Sequence, residues 1–259
     1  MAIPMQKLQI NTSEEFTHLP SAPIVEAVID IRAKSSVTLD EAITREFLEP
    51  RLEGYGFLDS QHEFSHQVTF GVDTPPQQTT KNLWKGVRFR SADEKSIAQF
   101  NRDGFVYSRL APYQNWPAFS GEGLRLWQTF HEMAKPEEIN RLGLRFINRI
   151  ELPAGEAYFE NYINPAPQSP RDLELPFFGF LYQETLAVPG HPYAINLIRT
   201  IQPPQDNGRI AVIIDIDVFT VEGLELEEKR LEEMLEEMRW LKNKTFFGSV
   251  TDQALEVFK

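Results

Sequence analysis

The sequence predicts an α+β fold in which antiparallel strand meanders carry helices on one face. The order of its elements is compatible with two similar α+β halves. Three observations carry this. Two stretches, IVEAVIDIR at 24–32 and LGLRFINRI at 142–150, alternate residue by residue between an apolar and a charged face. Such alternation marks half-buried strands, because successive strand side chains point to opposite sides. Short alternating runs then follow one another with only turn chemistry between them, so their pairing is antiparallel. Finally, the segments near 121–134 and 224–244 show helical spacing of apolar residues.

The elements follow in order. After a polar arm, Val25, Ala27, Ile29 and Ile31 of the first strand face one way, and Glu26, Asp30 and Arg32 the other. A helix comes next: Thr38 or Asp40 can cap it, Ala42, Ile43, Phe47, Leu48 and Leu52 give its stripe, and Gly54 and Gly56 close it. Strands are expected at 66–72, 84–90, 95–100 and 105–110, separated by DTPPQQ, SADE and NRDG. A helix at 121–134 stacks Leu124, Trp127 and Phe130 and stops at Pro136; the LGLRFINRI strand follows, with Leu142, Leu144 and Phe146 opposite Arg145 and Arg149. Prolines at 153, 165, 167, 170 and 176 make 153–176 a connection between an N-terminal domain (1–152) and a C-terminal one (177–259), an arrangement compatible with the two packing as one unit. Three more strands occupy 178–188, 193–202 and 209–219, the last two joined by PPQDNG, whose Asp-Asn-Gly suits a tight hairpin. A long helix and a short final one, starting at Ser249 or Thr251, end the chain.

Composition narrows the function. The chain has 259 residues, is 41% hydrophobic and has no cysteine, which removes disulfides, thiolate metal sites and a cysteine nucleophile and fits a reducing cytosol. The start lacks the apolar core of a signal peptide, and IAVIIDIDVF is too short to cross a bilayer, so a cytoplasmic location off the membrane is expected. A net charge of −12 disfavours nucleic acid, since phosphate binding is driven by cationic contacts. Residues 81–109 are a local exception, with 7 basic against 3 acidic residues and interleaved aromatics.

Several constellations invite chemistry. HEFSH at 62–66 fits the zinc-protease pattern, with His62 and His66 as ligands and Glu63 beside the bound water, but only on a helix. A strand would hold the two histidines about 13 Å apart, too far to share a metal, and strand alternation is what the flanking residues suggest. Asp215 and Asp217 share one sheet face and, with Glu184 and Arg199 on neighbouring strands, are candidates for a metal or phosphate site; otherwise Arg199 neutralises them across the ladder. Glu26, Asp30, Arg32, Arg145, Asn148 and Arg149 form a charged row. In a closed or strongly curved sheet, as in the triphosphate-tunnel fold, that row would hold an anionic ligand; the bland alternative is a cross-strand ion-pair lattice. The stripe Leu231, Met234, Leu235, Met238, Leu241 suits packing on the chain's own sheet or on a second copy.

The blocks LPSAPIVEAVIDIR, LGLRFINRI, IIDIDVF and LKNKTFFGSVTDQALEVF, in that order, resemble a sporadically distributed prokaryotic family of uncharacterised proteins, over nearly the whole chain. The resemblance implies an accessory role, such as conflict between bacteria and phage or a toxin–antitoxin system, and no established activity. The expectation is a non-catalytic binding or assembly module, without cofactor, that meets a protein partner or another copy of itself. The alternatives are a metal-dependent enzyme acting on a phosphorylated small molecule, using Glu26, Asp30, Asp215 and Asp217, and a nucleic-acid module relying on Arg88 and Arg90.

Overall fold

The computed structural model describes residues 6–69, 77–153, 158–173, 175, 177–202, 209–225 and 227–259. The first half contains β1 (Ile24–Arg32), α1 (Glu41–Leu48), β2 (Tyr55–Thr69), β3 (Gln77–Ser91), β4 (Ser96–Asn101), β5 (Gly104–Leu110) and α2 (Trp116–Ala134). After the two-residue β6 (Glu138–Ile139), the second half contains β7 (Arg141–Glu151), β8 (Leu181–Ala187), β9 (Tyr193–Gln202) and β10 (Ala211–Thr220). It closes with β11 (Leu224–Glu225), α3 (Glu228–Ser249) and α4 (Asp252–Glu256). Nine strands form one antiparallel sheet in the order β2-β3-β4-β5-β1-β7-β10-β9-β8. The fold is thus the expected α+β class.

The strand order has a simple logic. Each half lays down its central strand first, starts again at the outer edge, meanders back beside that strand, and then crosses the sheet with a helix. The two central strands, β1 and β7, pair with each other and make one sheet of both halves. Topology repeats, although the residues do not. Among the described residues the second half has no counterpart of α1: its connection holds a 3₁₀ turn (Phe159–Asn161) and a bridge from Ile163 to Val250 near α4.

One face of the sheet is the core. Ala27, Ile29 and Ile31 of β1, Leu142, Leu144 and Phe146 of β7, and Ile214, Ile216 and Val218 of β10 are buried under α2 and α3. The stripe of α3 from Leu231 to Leu241 is buried in this same layer, so it packs on its own sheet and offers no apolar face to a second copy. Gly123 lets α2 approach closely, since a Cβ there would lie 2.7 Å from Ile29 Cδ1. No described helix is long and apolar enough to cross a membrane.

Element limits moved for local reasons. Helix α2 starts five residues before the expected position, because Asn115 caps it by accepting from the Ala118 N–H at 2.9 Å and Pro117 sits in the first turn. Helix α3 starts later than expected because Leu224 and Glu225 pair with β6, and it runs past Lys244 as Thr245 and Ser249 bond back to carbonyls one turn earlier. Strand β2 begins at Tyr55, well before position 66. Gly54, at φ +80°, makes the turn, while Gly56 is already in the strand. The middle of β2 is exposed, so no core demands the apolar alternation by which a strand is recognised. The end of the strand expected at 66–72 and the PPQDNG turn lie outside the described residues.

Candidate functional site

The face opposite the helices carries the charged row. Because β7 alternates, positions 141, 143, 145, 147 and 149 share that face. Arg141 donates to Asp30 on β1 at 2.8 Å and to Asp217 on β10 at 2.7 Å, so one guanidinium joins three strands. Arg145 grips Asp215 with two donors, its Nε at 2.8 Å from Oδ1. Arg32 pairs with Asp30 at 2.9 Å and with Asp103 at 3.7 Å. The bonded acids are diagonal to their arginines: Asp217 lies directly across from Arg145 but bonds Arg141.

A hollow of about 390 Å³ lies over this lattice. Val28, Val106 and Gly143 contribute an apolar floor, and Gln61, Lys85, Gln99 and Asn101 bring amides and a cation from β2, β3 and β4. Burial pushes the Asp217 carboxyl up from its ordinary pKa, with Arg141 and Arg145 opposing that rise. The hydrogen-bonded Asp215 raises the pKa of Arg145 and so keeps it charged. Gly143 leaves the space that the Arg141 guanidinium occupies, since a Cβ would lie 2.5 Å from Arg141 Nη1. Gly143→Ala is therefore expected to push Arg141 off one carboxylate and to lower stability by about 1 kcal/mol, read as a shifted urea midpoint with unchanged slope.

The other predicted residues fall as follows. Glu26 shares the charged face, half-buried, and forms no ion pair among the described residues. Arg149 lies at the far end of the row, held by Gln202 at 2.8 Å and by Glu151, and does not line the hollow. Asn148 was placed in the charged row, but its even position puts it on the helix face, 3% exposed, with its amide donating to the Ile214 carbonyl at 3.0 Å. Arg199 likewise lies opposite Ile214, on the helix side, so it does not neutralise Asp215 or Asp217. It bonds Glu184 at 3.0 Å and the Pro165 carbonyl at 2.9 Å instead, and the four residues form no common site. The sheet ends in separate edges at β2 and β8, so it is not a tunnel.

Sequence reading missed Arg141, the centre of the lattice. Its signal was present: it stands two alternation steps before Arg145. HEFSH lies within strand β2, where His62 Nδ1 is 3.0 Å from Asn82 Oδ1, and the helix that zinc chemistry needs is not formed. Position 66 pairs with Thr80 in the ladder. Among the described residues no three His, Cys, Asp or Glu side chains gather so as to hold a metal ion. In the basic meander, Lys85, Arg88, Arg90 and Arg109 each have an acidic partner (Glu63, Asp59, Glu94 and Asp93). Phe89, Phe100, Phe105 and Tyr107 are buried in the core, where they cannot stack on bases.

The site and fold together define an open-faced antiparallel α+β protein with an ion-paired hollow on its uncovered side. Compared with protein-family models, curated proteins and solved structures, the chain matches none.

Proposed function

We propose that the protein is a non-catalytic binding module whose hollow receives a short peptide-like ligand of mixed charge, either free or as a segment of a partner protein. One observation carries this reading: of the four carboxylates on which catalysis would have rested, Asp30, Asp215 and Asp217 are held by arginines on the uncovered face, and Glu26 does not line the hollow. A carboxylate held this way is a poor base and a poor metal ligand. A rigid pattern of fixed charges beside free amides is instead suited to recognition, because little ordering remains to be done on binding. The volume is in the range of small-ligand sites. Cations at Arg145 and Lys85 suit a ligand carboxylate, Asp103 and Asp217 an ammonium, and Gln61 and Gln99 a peptide bond. An accessory role in a bacterial conflict system is compatible with such a receptor.

The test passes an equimolar tripeptide library over the immobilised chain and identifies what is retained by mass spectrometry. Peptides carrying both an acidic and a basic group are expected to be enriched, and Lys85→Ala with Gln99→Leu, which leave the ion-pair lattice untouched, should weaken their retention about tenfold. No enrichment, or equal retention by the variant, would overturn the reading.

A further inference from the structure

On the other side of the sheet, where Asn148 points, lies a second cavity of about 280 Å³. Its walls are the N-terminal arm from Phe16 to Ile24, the segment leading into α2, and the C-terminal half of α3. Its chemistry is the reverse of the hollow's. The chain carries 38 acidic residues and a net charge of −12, yet among the described residues no Asp or Glu lines this cavity, while Lys242 and Arg239 do. Arg239 has Glu236 at 3.2 Å. Lys242 has no ion pair among the described residues; its ammonium lies 4.0 Å from the centre of the Phe146 ring. Asn243, Gln114 and His18 also line the cavity, and the Asn148 side-chain oxygen accepts no hydrogen bond among the described residues. Phe16, Tyr113 and Trp116 add flat apolar surface.

A half-buried cation without a counter-ion is costly, and its environment registers the cost: burial, with Arg239 adding to it, pushes the Lys242 amine down to about 7. An incoming anion would restore the charge balance. Helix α2 begins at the rim, adding the partial positive charge of a helix start.

We infer that this cavity is a binding site for a planar aromatic acid, its carboxylate or phosphate on Lys242 and its ring against Phe16, Tyr113 and Trp116. The site is independent of the hollow: different residues line it, on the opposite face. Acid binding holds Lys242 in its charged form, so affinity falls as pH rises past neutrality. The ionisable groups facing that amine are Arg239 on its own helix, His18 on the arm and Tyr113 before α2.

Calorimetric titration of the full chain with indole-3-acetate, phenyl phosphate and uncharged tryptophol tests the inference. At least one of the two acids should bind, and about tenfold or more tighter than tryptophol. Preference between the acids tells a carboxylate ligand from a phosphate one. Lys242→Met, which keeps the apolar stem, should abolish the advantage of the acid over tryptophol, and Asn243→Ala should weaken the acid while leaving the fold unchanged by circular dichroism. In the wild type, binding should weaken between about pH 6 and pH 9, and Lys242→Met should lose most of that dependence. Equal affinity for acid and alcohol, an acid affinity indifferent to Lys242→Met, or no binding by any of the three compounds would overturn the inference.

Discussion

Replacing Arg141 by methionine is expected to lower stability by about 2–3 kcal/mol at neutral pH, because Asp217 loses its hydrogen-bonded cation and Asp30 is left with the more exposed Arg32. The side chain bridges Asp30 and Asp217, both of which are about one-fifth exposed. With the guanidinium gone, two carboxylates from different strands face each other across the space it filled, and Asp217 would keep only the more distant Arg145. The pH dependence has a definite sign. The Asp217 carboxyl already has a raised pKa in the folded protein. A group whose folded value lies above its unfolded value imposes its cost at neutral pH and sheds it as pH falls through the folded value. Losing Arg141 raises the Asp217 carboxyl further, so the deficit of the variant should shrink on acidification to about pH 4.5. Urea unfolding at the two pH values reads this, and Asp217→Asn in the same background should recover part of the loss. A deficit below about 1 kcal/mol, or one that does not change with pH, would show that solvent rather than Arg141 carries the carboxylates.

Lys242→Met should have the opposite effect, raising stability by about 2–3 kcal/mol at pH 6, because it removes an uncompensated charge while keeping the volume of the stem. The folded amine titrates at about 7, well below the unfolded lysine value near 10.4. Below about pH 7 the amine is charged in both states and the burial cost is fully present. Between about 7 and 10.4 the folded state gives up its proton first, and the cost fades as pH rises. The gain from methionine should therefore shrink by about half or more at pH 9. A variant less stable than the wild type at pH 6, or a gain equal at both pH values, would falsify this account. A stabilising change that also abolishes acid binding would mark Lys242 as a residue retained for function at the expense of the fold.

Much of the architecture was legible in the chain because one face of the sheet is buried. Val25 to Ile31, Leu142 to Phe146 and Ile214 to Val218 alternate because the core accepts only apolar side chains on one side, and the pattern carries the register with it. Where the sheet is exposed, that signal stops. The middle of β2 looks polar and irregular because water accepts either kind of residue on both faces there. Alternation also locates Asn148 and Arg199, which were misplaced by grouping charges along the chain instead of counting parity.

The sequence by itself determined the α+β class, the inward faces of the central strands, and the fact that Asp215 and Asp217 share a face. These depend on local periodicity, which each strand expresses alone. Which acid meets which arginine was decided only in the tertiary structure. Asp30, Arg141 and Asp217 come from strands far apart in sequence, and their contact needs the β1–β7–β10 pairing, with Gly143 leaving room for the guanidinium. The isolation of Lys242 is likewise invisible in LKNKTFF, because a charge is compensated or not by whatever the fold brings beside it.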